Sequence, residues 1–486
     1  MALVIKNNTS ATNTLNQLNK NTKAKSKKLA ELSSGMRINS AADDASGLSI
    51  SEKMRVQIRS LDQDNMNTEN GNSMLKVAEG AVQSTVDILR TMKEKLLNAA
   101  NDTNTEDDRE TLQQEFNQLC DQIDENANVT YNGMMLMNGE HNNKVVEPGT
   151  YTTLVNTSFN EETTPDTSLL DLKDKNGVSL GIMSSDTVTV SYVKQGDTFI
   201  KSFPVYDEEA YNRGDRANGP ALTLSDLLIN GQAGDVAVSS GKETYDEITG
   251  DVLSQDLSFI GMDQYGNEVY TPDHKNAITY TATQPGIEGQ ISGLTISITD
   301  RYGEFRRTAN TVLDNFQEVI RAQDSSPDNA IVFQTGTKAN HAVKVGLTDM
   351  RCYALGLRDN DGGYLNIGGQ KASSTGKYSN LSDEKFSTIA NSQEQANAAI
   401  NVVETALQKA LDQLTEIGST QSRLDYTSAN VVTARDNTQA SESVIRDADM
   451  AASMTEYTKM NVLEQASQSM LAQANQNSSS VLSLLQ

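Results

Sequence analysis

The sequence predicts a mainly α-helical protein with a β-rich insertion, in which both chain ends form a long antiparallel helical bundle or coiled coil. Two observations predict this fold. All seven prolines lie between Pro148 and Pro327, so the chain on either side contains no helix breaker other than glycine. Both ends carry apolar residues at intervals of three and four, whereas the middle alternates β-branched or aromatic residues with polar ones.

Composition narrows the class of protein. The chain has 486 residues, only 36% hydrophobic residues, no Trp and a net charge of −25. This acidic balance argues against non-specific binding to nucleic acid, which requires clustered Lys and Arg. No segment approaches the ~20 apolar residues of a membrane span, and no cleaved signal peptide is visible. We therefore expect neither a nucleic-acid nor a membrane partner, and either a cytosolic protein or export without a cleaved signal.

The two terminal segments, 1–44 and 446–486, are expected to pair with each other. Residues 1–40 hold seven basic residues and one acid, whereas residues 441–486 hold five acids and two bases. Each segment has one apolar stripe, which Thr22 and Lys25 interrupt in the first and Ala466 and Ala474 in the last. A two-helix pair of this size is marginal alone, so we expect it to be ordered by oligomerisation. Identical subunits whose head-to-tail contacts do not close form a helical filament. The expected assembly residues are Leu15, Leu18, Leu29, Leu32, Met460, Leu463, Met470, Leu471, Leu484 and Leu485.

Two longer stretches predict a helical core that packs within the chain. A track of apolar residues from Met54 to Leu96 predicts one long helix over 41–98, and "NDTNTEDD" then predicts a turn before a shorter antiparallel helix from Leu112 to Ile123. A matching track runs from Ile400 to Val431. We assign 45–176 to the N-terminal helical core and 388–445 to the C-terminal helical core.

A polar break, "LSSGMRINSAADD", separates the first terminal segment from the long helix. Gly35 suits the left-handed end of a helix. Ser40 followed by Asp43 resembles a capping box, and Asp43 and Asp44 favour the N-terminus of the next helix. The break therefore predicts a joint between an assembly-dependent helix and a self-folding one.

The middle of the chain, 177–387, is predicted to be a variable β-rich region. "DTVTVSYVKQ", "YTATQ" and "GLTISITDRYG" alternate as strands do, with Gly-containing turns between them. "RTANTVLDNFQEVIRAQ" is predicted to be one helix within it. The number of domains in this region stays open.

No catalytic or metal-binding constellation is present in the sequence. The three histidines are scattered, and HExxH, CxxC, GxSxG and nucleotide-binding loops do not occur. Cys120 and Cys352 form no disulfide framework, and Cys120 is interpreted as a small buried apolar residue. We expect no enzyme activity, no cofactor and no metal.

The two ends resemble bacterial flagellin. The resemblance lies in "ELSSGMRINSAADDASGLSISEKMRVQIRSLDQ", "LKVAEGAV" and "SVIRDADMAASMTEYTK…VLEQASQSMLAQANQ…VLSLL", and covers roughly 140 residues at the start and 95 at the end. It implies a filament subunit that is secreted unfolded through the flagellar export pathway to the extracellular flagellum. The terminal segments would form the inner tube, and the middle an outer region facing solvent. It also implies an export chaperone and a filament cap as partners.

The resemblance further implies recognition by Toll-like receptor 5 on the long helix and the antiparallel helix after it. The family's receptor-contact arginine aligns with Thr91, counting back from "NAAN", with Arg90 one position earlier. A family leucine aligns with Lys95, and Glu115 matches the family glutamate in "LQQEF". The contact candidates are Arg90, Thr91, Glu94, Lys95 and Glu115.

Two other functions remain open from the sequence. A hook–filament junction protein shares the same terminal architecture, although the "LAQANQ…VLSLL" ending favours flagellin. A filament-displayed adhesin or surface enzyme would carry its activity in residues 177–385, where no HExxH motif occurs.

Overall fold

A computed structural model describes residues 8–208, 220–229, 236–239, 242–245, 252–256, 259–271, 277–358, 363–365 and 392–484. The chain divides into two compact units. The first unit comprises Met1–Asn70, Phe333–Ala342 and Leu424–Gln486, and the second comprises Gly71–Val332 and Val343–Arg423. Each unit is described by itself below.

The helices of the described residues lie mainly at the two ends of the chain. Their bounds are α1 Thr9–Ser34, α2 Ala45–Ala99, α3 Glu106–Ala127, α4 Asp226–Ile229, α5 Arg307–Leu313, α6 Cys352–Leu355, α7 Ser392–Arg446 and α8 Met450–Leu484.

The strands lie between the helical ends, so the predicted fold class is confirmed. Their bounds are β1 Thr130–Tyr131, β2 Met134–Met135, β3 Val145–Thr150, β4 Thr153–Asn156, β5 Thr187–Lys194, β6 Asp197–Pro204, β7 Val236–Ser239, β8 Lys242–Tyr245, β9 Val252–Asp256, β10 Phe259–Met262, β11 Glu268–Tyr270, β12 Ile278–Ala282, β13 Ile291–Thr299, β14 Gln317–Ile320, β15 Gln323–Ser326, β16 Ile331–Gln334 and β17 Ala342–Val345.

Within the second unit, the apolar tracks of the long helices are buried as the sequence predicts. Leu75, Val86 and Leu89 of α2 are fully buried, as are Val403 and Ile417 of α7. Removal of such side chains from water is the main favourable term in folding. This part of the two long helices is therefore a core in its own right.

The shorter helix α3 follows α2 after a tight turn in the same unit. Thr105 accepts a hydrogen bond from the Asp108 N–H, and the Asp108 carboxylate accepts one from the Thr105 N–H, so the helix begins with a capping box. The buried Arg109 guanidinium donates to the Ala99 carbonyl at 2.8 Å and ties the start of α3 to the end of α2. Phe116 is fully buried in α3.

The end of α1 has the geometry that its glycine predicts. Gly35 lies in the left-handed region at φ 70° and donates its N–H to the Glu31 carbonyl. A residue with a Cβ is strained in that region, by about 1–2 kcal/mol, which explains glycine at this position.

The start of α2 differs in detail from the predicted capping box. The Asp43 carboxylate does accept from the Ser40 N–H and hydroxyl, at 3.1 and 3.0 Å, but this closes a turn before the helix. The helix cap is Asp44, whose Oδ1 accepts from the Gly47 N–H at 2.9 Å. Asp43 also pairs with Lys27 at 2.9 Å, and that contact is the largest cause of lowering the pKa of Asp43 to about 2.

The β-rich part of the second unit is built on two sheets that share one core. One sheet has the strand order β14-β4-β12-β7, and the other has the order β13-β5-β6. Ile278 and Tyr280 from the first sheet and Val188, Ile296 and Ile298 from the second are buried in the same hydrophobic cluster. The alternating pattern of these strands places every second side chain in that cluster.

The predicted helix over 307–323 is wrong in its second half. Helix α5 ends at Leu313, where Asp314 forms its C-terminal cap. The following residues form β14, which pairs with β4 in an antiparallel register with Glu318 opposite Leu154. Tertiary pairing thus overrides local helix propensity here.

The β structure also begins earlier than the predicted limit at residue 177. Helix α3 ends at Ala127, and a hairpin of β1 and β2 follows at once. Its turn has Asn132 and Gly133 at φ 51° and 83°, as an Asn-Gly hairpin turn requires. The predicted boundary between 387 and 388 lies outside the described residues.

Candidate assembly interface

The terminal helices α1 and α8 pair antiparallel in the first unit, as predicted, but the seam between them is largely polar. The Asn21 amide donates to the Ser467 hydroxyl at 2.9 Å, and both residues are buried. The buried side chains of α1 are those of Asn21 and Glu31. Because a buried polar pair constrains geometry more than an apolar contact does, this seam fixes the register of the two helices.

Charge complementarity between the two helices takes the form of specific ion pairs. Lys25 contacts Glu464 at 2.8 Å, and Lys28 contacts Glu456 at 2.7 Å. The Lys25 ammonium lowers the pKa of Glu464, and the Lys28 ammonium lowers the pKa of Glu456. Lys25, Lys28 and Glu464 are half-buried and Glu456 is exposed, and ion pairs that solvent still reaches contribute little to stability. They therefore select the partner helix more than they stabilise it.

The predicted apolar stripe of α1 divides into two tracks in the structure. Leu18, Lys25 and Leu32 are half-buried and face the seam, whereas Leu15 and Leu29 are 45% and 50% exposed. Leu15 and Leu29 lie two heptads apart and therefore share one face of the helix. The partner helix therefore leaves part of the stripe uncovered, because polar residues occupy much of the seam.

Helix α8 shows the same division. Met460 and Leu471 are half-buried, whereas Leu463 and Met470, one heptad apart, are 39% and 61% exposed. Leu484 lies at the C-terminal end of α8, and Leu485 lies outside the described residues. Further apolar side chains of α8 are also exposed: Met450, Met454 and Val462. The helix pair thus presents apolar side chains to solvent on both of its members.

The pair is fixed at its base by a joint between the two helix breaks. The Arg37 N–H donates to the Arg446 carbonyl at 2.7 Å, and the Ala448 N–H donates to the Gly35 carbonyl at 3.0 Å. The Arg446 guanidinium in turn contacts the Glu52 carboxylate in the first turns of α2. Each break therefore satisfies backbone groups that the other exposes.

Sequence reasoning missed the polar seam, although a signal for it was present. Asn21 lies four residues before Lys25 and so shares its face. Ser467, which accepts the hydrogen bond from Asn21, lies three residues after Glu464 and so shares the face of α8 that carries Glu464. The sequence therefore contains a row of polar residues on one face of each helix, beside the apolar stripe.

The receptor-contact candidates lie together in the second unit. Lys95 of α2 pairs with Glu115 of α3 at 2.8 Å, and Arg90 pairs with Asp87 at 2.9 Å. Arg90, Glu94 and Glu115 are exposed, and Thr91 and Lys95 are half-exposed. The Thr91 hydroxyl donates to the Asp87 carbonyl on its own helix at 3.1 Å.

None of the described helices is both long and apolar enough to cross a membrane. No cluster of three or more His, Cys, Asp or Glu side chains suited to a metal ion occurs in the described ranges.

Comparison with known proteins matches both ends of the chain to one family. A family model for the bacterial flagellin N-terminal helical region matches residues 5–142, and one for the C-terminal helical region matches residues 400–485. A flagellin of Clostridium tyrobutyricum is 29% identical over 478 residues, which is 98% of this chain and 99% of that protein. A flagellin of Bacillus subtilis is 27% identical over 488 residues, 99% of each chain.

The chain belongs to the bacterial flagellin family. A third relative, a flagellin of Aquifex aeolicus, is 28% identical and is matched over the full length of both chains. This flagellin is a structural subunit that polymerises into the flagellar filament, and its family is one of structural proteins.

Solved structures of flagellar proteins are also similar to this flagellin. A flagellar hook-associated protein of Legionella pneumophila matches 80% of this chain and 97% of its own, with 12% identity and a TM-score of 0.30. A flagellar junction protein of the same organism matches 84% of this chain and 100% of its own, with 14% identity and a TM-score of 0.26.

Proposed function

We propose that this flagellin polymerises through the outward apolar faces of α1 and α8, while the polar seam holds the two helices in register. One observation carries the proposal. Leu15 and Leu29 on α1, and Leu463 and Met470 on α8, are exposed on helices that already have a partner. A repeated apolar stripe that an existing partner leaves uncovered is typical of an interaction surface.

Burial of these apolar side chains contributes enough free energy to support assembly. Full burial of one Leu or Met side chain contributes about 1.5–3 kcal/mol. Several such side chains per subunit, buried at every contact along a filament, offset the ordering cost of association. Folding of the separate subunit does not need this face, so loss of one side chain weakens polymerisation and leaves the monomer intact.

The same face explains the partners that an exported filament subunit requires. We include in the proposal an export chaperone that covers the apolar face of residues 446–486 before secretion. A cap at the filament tip would keep each arriving subunit in place while its terminal helices become ordered. The destination is the extracellular flagellum. An uncovered apolar face supports this arrangement because it would otherwise promote premature association.

Recognition by Toll-like receptor 5 is the second part of the proposal. Support comes from the charged surface formed by the exposed Arg90, Glu94 and Glu115 and the half-exposed Lys95. Lys95 and Glu115 bridge α2 and α3, so a receptor that contacts both helices meets a preformed pair. Glu115→Ala is expected to weaken receptor binding. Gln114 is also exposed on α3, so Gln114→Ala is the matched control. Equal receptor affinity for the two variants would exclude this contact.

Polymerisation of the purified chain tests the first part. Salting-out with ammonium sulfate strengthens apolar burial, so the full-length protein is expected to form filaments visible by electron microscopy. Chains that lack residues 1–40, or residues 446–486, are expected to remain monomeric. Filaments formed by a chain that lacks both segments would show that another surface carries assembly.

A further inference from the structure

The two cysteines of the chain meet in the second unit. They are 232 positions apart in sequence, and the Cys352 thiol donates a hydrogen bond to the Cys120 carbonyl at 3.1 Å. Both thiols are free and fully buried. The sequence contains no other cysteine, so the fold brings its two thiols together from distant parts of the chain.

Hydrogen bonds close to the thiols hold the segment around Cys352 against helix α3. Asp124 lies one turn after Cys120 on α3, and its Oδ1 accepts from the Cys352 N–H at 2.8 Å. The other oxygen of Asp124 accepts from the Arg358 guanidinium at 3.0 Å. The segment that begins α6 is thus fastened to one face of α3 by bonds that do not involve sulfur.

We propose that Cys120 and Cys352 are a modification site, at which the two thiols form an intramolecular disulfide when the chain folds in the presence of a low-molecular-weight disulfide. This inference rests on the proposed extracellular destination, since structural disulfides persist in oxidising surroundings and are rare in the cytosol. It concerns the second unit and makes no use of the assembly face on α1 and α8.

The chemistry is two successive thiol–disulfide exchanges. The thiolate of one cysteine attacks a sulfur of the small disulfide, which breaks its S–S bond and releases one small thiol. The thiolate of the second cysteine then attacks the protein-bound sulfur and releases the second small thiol. The protein loses two hydrogen atoms and is oxidised, and the small disulfide is reduced to two thiols.

Burial determines when this exchange can happen. The neighbouring Cys120 side chain and burial both raise the pKa of the Cys352 thiol, and the thiolate is the reactive species. The folded unit therefore resists both oxidation and reduction. Closure is expected while the chain folds, when the thiols are still accessible and the contacts of Asp124 bring them together.

The proposed bond encloses the whole β-rich part of the second unit. Every strand of the described residues lies between positions 120 and 352. A cross-link over so long a loop lowers the entropy of the unfolded chain more than a short one does. The disulfide would thus fasten the start and the end of the β-rich insertion to each other at α3.

Refolding in a redox buffer tests the proposal. The full chain is unfolded in guanidinium with reductant and then diluted into reduced and oxidised glutathione. Remaining thiols are alkylated, and an unreduced digest is analysed by mass spectrometry. The expected result is one linked peptide pair joining Cys120 to Cys352 in a monomeric protein without titratable thiols. Two alkylated cysteines, glutathione adducts or linked dimers would overturn the proposal.

Stability and polymerisation give two further readings. The guanidinium midpoint of the oxidised protein is expected to rise above that of the reduced protein, with no such difference in the Cys120→Ser/Cys352→Ser control. A lower midpoint on oxidation would show that the native geometry rejects the bond. Filaments that form while both thiols stay free would overturn the disulfide alone. A cross-linked protein that never polymerises would overturn the assembly proposal alone.

Discussion

Helix α1, in the first unit, and the part of helix α2 that lies in the second unit, after Asn70, carry the same kind of apolar pattern but differ in burial. Leu75, Val86 and Leu89 of α2 are fully buried, whereas Leu15 and Leu29 of α1 are about half exposed. Both patterns repeat at three and four residues. Periodicity therefore identifies a stripe but does not say whether its partner lies within the same chain.

Removal of a buried side chain from the second unit is expected to change stability more than the other substitutions. Phe116→Ala removes a fully buried ring from α3 and is expected to lower the free energy of unfolding by about 3–5 kcal/mol. Guanidinium denaturation followed by circular dichroism measures it. Gln114→Ala, at an exposed position of the same helix, should stay within about 0.5 kcal/mol of the parent. A cost below about 1 kcal/mol for Phe116→Ala would mean that this unit has no rigid core.

A second prediction contrasts two glycines of α2. A Cβ at Gly47 would lie 2.5 Å from Asp44 Oδ2 and 2.7 Å from Ile38 Cδ1, whereas a Cβ at Gly80 would meet nothing within 4 Å. Gly47→Ala is expected to destabilise by about 1–3 kcal/mol through crowding. Gly80→Ala is expected to stabilise by about 0.4–1 kcal/mol. Thermal unfolding of both variants measures these changes in stability. Shifts of the two unfolding temperatures in the same direction would contradict the geometry at the start of α2.

Acid is expected to have a small effect on the helicity of the α1–α8 pair. The pKa values of Glu456 and Glu464 are lowered by Lys28 and Lys25. Because the folded pKa lies below the unfolded value of about 4.3, this contribution is present above that pH and is lost as pH falls further. Helicity of the pair in the polymerised protein should therefore decrease below about pH 4, less so in Lys25→Gln. Circular dichroism across this range measures it, and identical profiles would exclude the Lys25–Glu464 contact.

Much of the fold could be predicted because its causes are local. Gly35 ends α1, and the cap residues before α3 act within a few positions of themselves. The repeated hairpin turn of the β region is equally local. Its Asp side chain, as in Asp263 and Asp300, accepts from the backbone N–H two and four residues later. This turn was readable in "DQYGN" and "DRYGE".

The remaining features depend on contacts between distant residues. The seam bond of Asn21 with Ser467 and the meeting of Cys120 with Cys352 join positions hundreds of residues apart. The pairing of β14 with β4 likewise replaced the second half of a predicted helix. No local pattern specifies such partners, so the sequence predicted the apolar residues of α1 but not which of them face solvent.

Assembly through the outward face of α1 can be tested by comparing the critical concentrations for polymerisation of Leu29→Gln and Val178→Gln. Both replaced side chains are exposed, at 50% and 62%, but Val178 lies in a turn of the second unit. Loss of one buried Leu contact of about 1.5–3 kcal/mol is expected to raise the critical concentration of Leu29→Gln at least about tenfold. The monomer should keep its unfolding midpoint, and Val178→Gln should polymerise like the parent. Equal critical concentrations for the two variants would contradict assembly through the outward face of α1.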